Sequence, residues 1–189
     1  MKNKIRQELA QKRKNLSKDE VLEKSDKIKK RLFETDEFKQ ASNIVFYVSY
    51  DNEVYTHKMI KECITSKKNV VVPMCDKEER CLILSKLDSW DDLEPGSYGI
   101  LEPRKEKVKE FSIDKIDLII VPGLGFDTNG CRIGHGKGYY DNLLKNSRNA
   151  LHIGLAFEAQ IVKKITVDAH DLPVHMIVTE KRVIDCRNK

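Results

Sequence analysis

Residues 130–141, GCRIGHGKGYYD, place four glycines, an arginine, a histidine and a lysine ahead of two tyrosines and an aspartate. Glycines let backbone N–H groups approach an anion with no Cβ in the way, and Arg132 and Lys137 would neutralise phosphate charge there. The stretch follows IDLIIVPGLGFD, a strand-like run that passes directly into glycine. It therefore starts at the carboxyl end of a strand, where helix-covered parallel sheets bind ligands. It is not a Walker A loop, because Gly138 follows Lys137 where Ser or Thr is needed. Nor is it a dinucleotide fingerprint, since Tyr139 stands at the place of the third glycine. By motif chemistry alone it is a phosphate cradle, with a glycine-rich hairpin carrying incidental charge as the structural alternative.

Such a loop needs a rigid frame. Ile5 and Leu9 share one side of a helix over residues 4–14, with Lys2, Arg6 and Arg13 on the other. SKDE at 17–20 reads as a capping box opening a second helix that buries Val21, Leu22, Ile28 and Leu32. NIVFYV is a β-branched and aromatic strand that ends in the turn residues Ser49, Tyr50, Asp51 and Asn52. Helical spacing returns over 56–66 through Met59, Ile60, Cys63 and Ile64. NVVVPM is a strand stopped near Pro73, and residues 81–85 pair with it across DKEER. Residues 88–110 read as loop, broken by Pro95, Gly96, Gly99 and Pro103. A strand at 118–121, a helix over 139–145 and strands in ALHIGLAF, MIVTE and VIDC complete the chain. Alternation of this kind predicts an α/β fold, a three-layer α/β/α arrangement with a mostly parallel sheet. The 189 residues suit a single domain, 1–189.

A net charge of +5 and a pI near 8.8 favour anionic partners: nucleotides, polyanionic small molecules or nucleic acid. No RNP-type aromatic motif or KH-type GXXG loop points to nucleic acid. With no apolar run near the length of about 18 residues that a span needs, and no signal-peptide core, the expectation is a cytoplasmic protein without membrane attachment. Five cysteines, none in a CxxC pair, suit thiols in a reducing compartment.

PGLGFDTNGCRIGHGKGYYD, the KxxxR segment at Lys2 to Arg6 and the HDLP segment near the C-terminus together resemble the 5-formyltetrahydrofolate cyclo-ligase (5,10-methenyltetrahydrofolate synthetase) family, in order and spacing over nearly the whole chain. The resemblance implies a fold similar to the NagB/RpiA/CoA-transferase-like group, and a monomer. It also implies ATP- and magnesium-dependent conversion of 5-formyltetrahydrofolate to 5,10-methenyltetrahydrofolate, with release of ADP and phosphate. A non-catalytic folate- or nucleotide-binding protein of the same fold is the alternative. Carried over, Lys2, Asn3, Lys4, Ile5 and Arg6 would contact ATP, as would Arg132, Ile133, Gly134, His135, Gly136, Lys137, Gly138, Tyr139 and Tyr140. Arg132 and Lys137 would be catalytic. Arg6, Val48, Tyr50 and Glu53, with His135, Gly136, Lys137, Gly138 and Tyr139, would contact the folate, and Asp141 would bind Mg2+. Tyr139 and Tyr140 divide between stacking on a ring and filling the core. The chain departs from the family near its C-terminus, where His175 stands in place of an aspartate that the family links to magnesium.

Overall fold

Alternate residues of Leu118–Val121 enter opposite cores, Leu118 and Ile120 one, Ile119 and Val121 the other, so this strand is buried on both faces. The computed structural model describes residues 2–76, 78–79, 81–96, 99–166 and 172–187. Helices α1 (Lys2–Lys14), α2 (Lys18–Glu34) and α3 (Asp36–Gln40) precede strand β1 (Asn43–Val45). Then come α4 (His57–Thr65), β2 (Asn69–Asp76), β3 (Cys81–Leu87) and the short strands β4 (Leu93–Pro95) and β5 (Leu101–Pro103). The remainder comprises β6 (Leu118–Val121), β7 (Gly125–Asp127), β8 (Arg132–Ile133), α5 (Tyr139–Asn146), β9 (Leu151–Leu155), β10 (Ile161–Val162), β11 (Met176–Val178) and β12 (Val183–Asp185).

The main sheet runs β12-β11-β9-β6-β1-β2-β3. Its five inner strands are parallel, and the antiparallel β3 and β12 close the edges. One face packs Ile28 and Leu32 of α2, Phe38 of α3 and Met59 and Ile60 of α4. The other takes Leu143 and Leu144 of α5. This is the expected three-layer α/β/α arrangement. The capping box forms as read: Ser17 Oγ accepts from the Glu20 N–H, and the Glu20 carboxylate accepts from the Ser17 N–H at 2.9 Å.

Four sequence readings change. Leu22 is 39% exposed, and Ser25 takes its place on the buried face of α2, where its Oγ accepts from the Tyr55 N–H. Strand β2 does not stop at Pro73 but continues to Asp76. β1 pairs with β2 only through Val71, so beyond it one side of β2 has no ladder for a proline to interrupt. Residues 88–110 contain the hairpin β4–β5, in which Leu93 pairs with Pro103 and Pro95 with Leu101. Arg13 does not share the solvated side of α1: its side chain is buried, for reasons given below.

Candidate active site

The chain leaves β1 for β2 and β3 on one side, then returns to lay β6, β9 and β11 on the other. Loops leaving β1 and β6 therefore diverge, which opens a crevice at the carboxyl ends of these strands. A cavity of about 270 Å³ lies there. Tyr47, Val48, Tyr50 and Glu53 reach it from the segment after β1, Pro122 and Gly123 from the end of β6, and residues 134–141 together with Arg132 from the glycine stretch.

The stretch divides into two halves of different structure. Residues 130–133 belong to a hairpin in which β8 pairs with β7, and Gly130, at φ +85°, sits where a Cβ would strike the Val174 carbonyl at 2.2 Å. Asp127, fully buried, fixes this turn. Its Oδ1 accepts from the N–H groups of Asn129 (2.9 Å) and Cys131 (3.0 Å), and its Oδ2 from Ile165 (2.9 Å). Residues 134–138 are the glycine-rich loop that lines the cavity. Gly136 (φ +88°) and Gly138 (φ +77°) hold left-handed backbone that other residues adopt only with strain, and Gly138 stands at the N-cap of α5. Lys137, between them, is exposed at the rim of the cavity.

Arg132 is the buried cation of the site. Its Nη2 donates to Asp141 Oδ1 at 2.5 Å and its Nη1 to the Pro122 carbonyl at 3.3 Å, and the guanidinium lies 5.7 Å from the centre of the Tyr140 ring. A Cβ at residue 134 would come within 2.8 Å of Nη1, so glycine there is what lets the guanidinium lie flat under the loop. Tyr140 is the core member of the tyrosine pair: burial pushes its hydroxyl pKa far up, and that buried hydroxyl has no hydrogen-bond partner among the described residues. Partial desolvation, and then the nearby Arg13, Lys137 and Arg132 cations, hold the His135 pKa below the ordinary histidine value.

Across the cavity, Glu53 is buried with its carboxylate near Tyr50 N–H (3.3 Å) and Arg13 Nη1 (3.7 Å). Desolvation raises its pKa from 4.5 to about 7 in spite of Arg13 and the backbone donor, which both lower it. Between those two pH values the folded chain holds a proton that the unfolded chain has lost. Glu53 therefore contributes stability that is complete below about pH 4.5 and disappears as pH rises through about 7. Thermal melts of the wild type and Glu53→Gln at several pH values are expected to show the wild type losing stability relative to the variant across this window. A difference that stays constant would mean that Glu53 is ionised throughout it.

The N-terminal segment is only partly at the cradle. Arg6 Nε donates to the Gly134 carbonyl at 3.1 Å, and Arg6 Nη1 to Asn3 Oδ1 at 2.7 Å. Ile5 and Ile133 instead turn their side chains into a satellite core around Leu9, Leu124 and Ile165. Lys4 is exposed, and the Lys2 side chain lies outside the described structure. His175 is not at the site. It precedes β11 at the opposite end of the sheet, where its Nδ1 accepts from the His152 N–H at 3.0 Å and the two rings lie 4.9 Å apart. His175, which stands where the family has an aspartate linked to magnesium, is therefore not among the residues that line the cavity. Asp171 of the HDLP segment lies outside the described residues.

Several contributors escaped sequence reading, among them Arg13, and Ile100 and Glu102 from the hairpin that walls one side of the cavity. Glu102 is anchored there by accepting from the Cys75 N–H at 3.3 Å. Residues 88–110 show no regular period, so nothing in the sequence brings them to the cavity.

Among the described residues no three His, Cys, Asp or Glu side chains cluster as a metal cage. Asp141 lines the cavity, with Oδ1 held by Arg132 and Oδ2 making no hydrogen bond among the described residues. One carboxylate beside a phosphate cradle fits magnesium, which commonly takes one or two protein carboxylates and completes its shell with phosphate oxygens and water. No helix of the described residues is long and apolar enough to cross a membrane.

The profile of the 5-formyltetrahydrofolate cyclo-ligase family matches residues 1–180. A mouse (Mus musculus) 5-formyltetrahydrofolate cyclo-ligase is 32% identical over 186 residues, spanning 93% of this chain and 92% of the relative. A probable cyclo-ligase of Schizosaccharomyces pombe is 33% identical over 170 residues, 82% and 83% of the two chains. Among solved structures, the 5,10-methenyltetrahydrofolate synthetase of Aquifex aeolicus superposes with a TM-score of 0.88 at 34% identity, covering 100% of this chain and 94% of that one. The Mycoplasma pneumoniae synthetase, at 24% identity and a TM-score of 0.75 over 95% of this chain and 98% of the other, supports the fold alone.

Proposed function

Because the chain belongs to the 5-formyltetrahydrofolate cyclo-ligase family of enzymes, we propose that it uses ATP and magnesium to convert 5-formyltetrahydrofolate into 5,10-methenyltetrahydrofolate, as a single cyclo-ligase domain and a cytoplasmic monomer. One observation carries the reading. A glycine cradle with a buried arginine and a rim lysine faces, across a single cavity, a buried carboxylate suited to a donor-rich heterocycle.

In the proposed reaction the formyl oxygen attacks the γ-phosphorus of ATP, the bond from that phosphorus to the β–γ bridging oxygen breaks, and ADP leaves. The formyl oxygen has then become phosphate, a good leaving group. N10 attacks the activated carbon and loses its proton, the C–O bond breaks with its electron pair going to phosphate, and the five-membered ring is closed. The protein's part is to position two anionic ligands and to spread the charge of the transferring group. Arg132 and Lys137 supply cations for the phosphoryl oxygens, while backbone N–H groups of residues 134–138 line the cradle. Arg6 brings a further cation to the Gly134 carbonyl edge of that cradle. Glu53, Tyr50 and Val48, which line the opposite wall of the cavity, would contact the pterin. Asp141 would hold the magnesium, which when bound would supply Lewis-acid stabilisation of phosphate charge. The non-catalytic alternative rested on His175, and that residue stands at the far end of the sheet.

Purified protein mixed with 5-formyltetrahydrofolate, ATP and magnesium is expected to form the methenyl product, read by its absorbance, with one ADP per turnover. Neither product under magnesium or manganese would remove the reading. Asp141→Asn is expected to lower turnover by about a hundredfold at limiting magnesium and to recover partly when magnesium is raised. An unchanged dependence on magnesium would take Asp141 out of the metal site.

A further inference from the structure

Arg13 is a buried arginine on a helix whose Lys4, Glu8, Lys12 and Lys14 are exposed, and nothing assigned to the site so far explains it. Its side chain is 5% exposed, its Nη1 stands 3.7 Å from Glu53 Oε1 and its Nη2 3.9 Å from Asp51 Oδ2. Its Nε is buried and makes no hydrogen bond among the described residues. Burying a guanidinium whose Nε is unpartnered and whose nearest carboxylate oxygen stands 3.7 Å away leaves its desolvation incompletely compensated. A stability role is therefore a poor account of it. The same helix end is fastened to the same turn a second way. Asn52 Nδ2 donates to the carbonyls of Arg13 (3.2 Å) and Leu16 (2.9 Å), capping the end of α1 with a side chain from the turn that carries Glu53.

We propose that Arg13 is a positioning residue for the folate side of the reaction: it holds the Glu53 carboxylate in place as the acceptor for the N–H donors of the bound pterin. The inference rests on the folate reading above. Its chemical content is a choice of protonation state. A protonated carboxyl offers one oxygen as acceptor and turns the other into a donor, whereas the carboxylate accepts at both, which a ring edge of adjacent N–H donors requires. The groups facing Glu53 are few. Arg13 comes from α1, the Tyr50 N–H and the Asp51 carboxylate from its own turn, Tyr47 from the segment after β1, and Tyr140 from α5. Of these only Arg13 is a cation, so it alone supplies positive charge against the burial and against Asp51. The turn cannot move away from it, because Asn52 ties the turn to the helix. Arg6 and Arg13 lie seven residues apart on one helix, the first at the cradle and the second at the carboxylate.

The experiment compares wild type, Arg13→Ala, Arg13→Lys, Glu53→Gln and the Arg13→Ala/Glu53→Gln pair between about pH 6 and about pH 9. It measures kcat, KM for each substrate and equilibrium binding of 5-formyltetrahydrofolate in the absence of ATP. Arg13→Ala is expected to raise the folate KM and weaken folate binding about tenfold or more at neutral pH, leaving the KM for ATP within about twofold. Loss of the cation lets the Glu53 pKa rise further, so the acid limb of kcat/KM for folate is expected to move to higher pH. Arg13→Lys keeps a charge and is expected to return that limb part of the way. On the Glu53→Gln background, removing Arg13 is expected to add little. Equal losses for ATP and folate, an unmoved acid limb, or fully multiplicative effects of the two substitutions would overturn the proposal. If Arg13→Ala fails to fold, Arg13→Lys decides by the same limb. A wild type that binds the folate but forms no methenyl product would defeat the catalytic reading while leaving the Arg13 effect on binding to be measured. A wild type that binds no folate would defeat both.

Discussion

Arg132→Ala is expected to lower turnover by about a thousandfold or more, and to lower the melting temperature as well. The first effect follows from what the guanidinium can do at the cavity: it is a fixed cation with a second N–H edge, set under a glycine loop where phosphoryl charge would develop. The second follows from what it already does without a ligand. It pairs with Asp141, binds the Pro122 carbonyl at the end of β6 and lies by the Tyr140 ring, so its removal opens a void and strips Asp141 of its counter-charge. Arg132→Lys separates the two. A lysine ammonium restores charge but cannot reach Asp141 and the Pro122 carbonyl together while stacked on a ring. The melting temperature is expected to recover in part and turnover to stay depressed by at least about tenfold. Wild-type turnover in Arg132→Lys would show that a point charge suffices and that the planar fork has no part in transfer.

The frame was legible because both-face burial leaves a strong trace: NIVFYV, NVVV and LIIV are apolar-rich runs, and each supplies an inner strand, although β1 takes only Asn43–Val45 of the first. The cradle was legible for a different reason. Glycines at alternating positions are costly in any ordered segment unless backbone geometry demands them, and two of them, Gly136 and Gly138, do adopt left-handed backbone. What escaped was the far wall of the site. Helical periodicity sorts residues into apolar and polar faces, and it assigned Arg13 to water because of its charge. Nothing local says that a turn forty residues later brings Glu53 and Asp51 against it. The converse failure is Leu22, which the period placed inside but which α2 turns outward while Ser25 makes a buried hydrogen bond. His175 misled in a third way. The family pattern sets it where an aspartate is linked to magnesium, whereas parallel pairing of β9 with β11 carries it to the amino ends of the strands, away from the cavity.

Lys137 poses the opposite case to Arg132, and the contrast makes its substitution the cleaner probe of catalysis. It is exposed, on a loop whose shape is set by the glycines on either side of it. Lys137→Ala therefore removes a charge from an exposed side chain without opening a core, and the melting temperature is expected to stay within about 2 °C of wild type. Turnover is expected to fall by about a hundredfold to a thousandfold. How the loss divides between kcat and KM carries the information. A lysine that only attracts ATP would raise the KM for ATP and spare kcat, because ground state and transition state would lose the same interaction. A lysine that neutralises charge on the transferring group would lower kcat and kcat/KM alike, because its interaction is complete only when the oxygens carry the most charge. The second pattern is expected. High salt separates the two further: attraction at the rim is screened over a Debye length, while a contact to a bound phosphoryl group is screened much less. A Lys137→Ala protein with wild-type kcat and a KM for ATP that rises only at low salt would reduce Lys137 to steering and leave Arg132 as the one side-chain cation of the glycine stretch that acts on the transferring group.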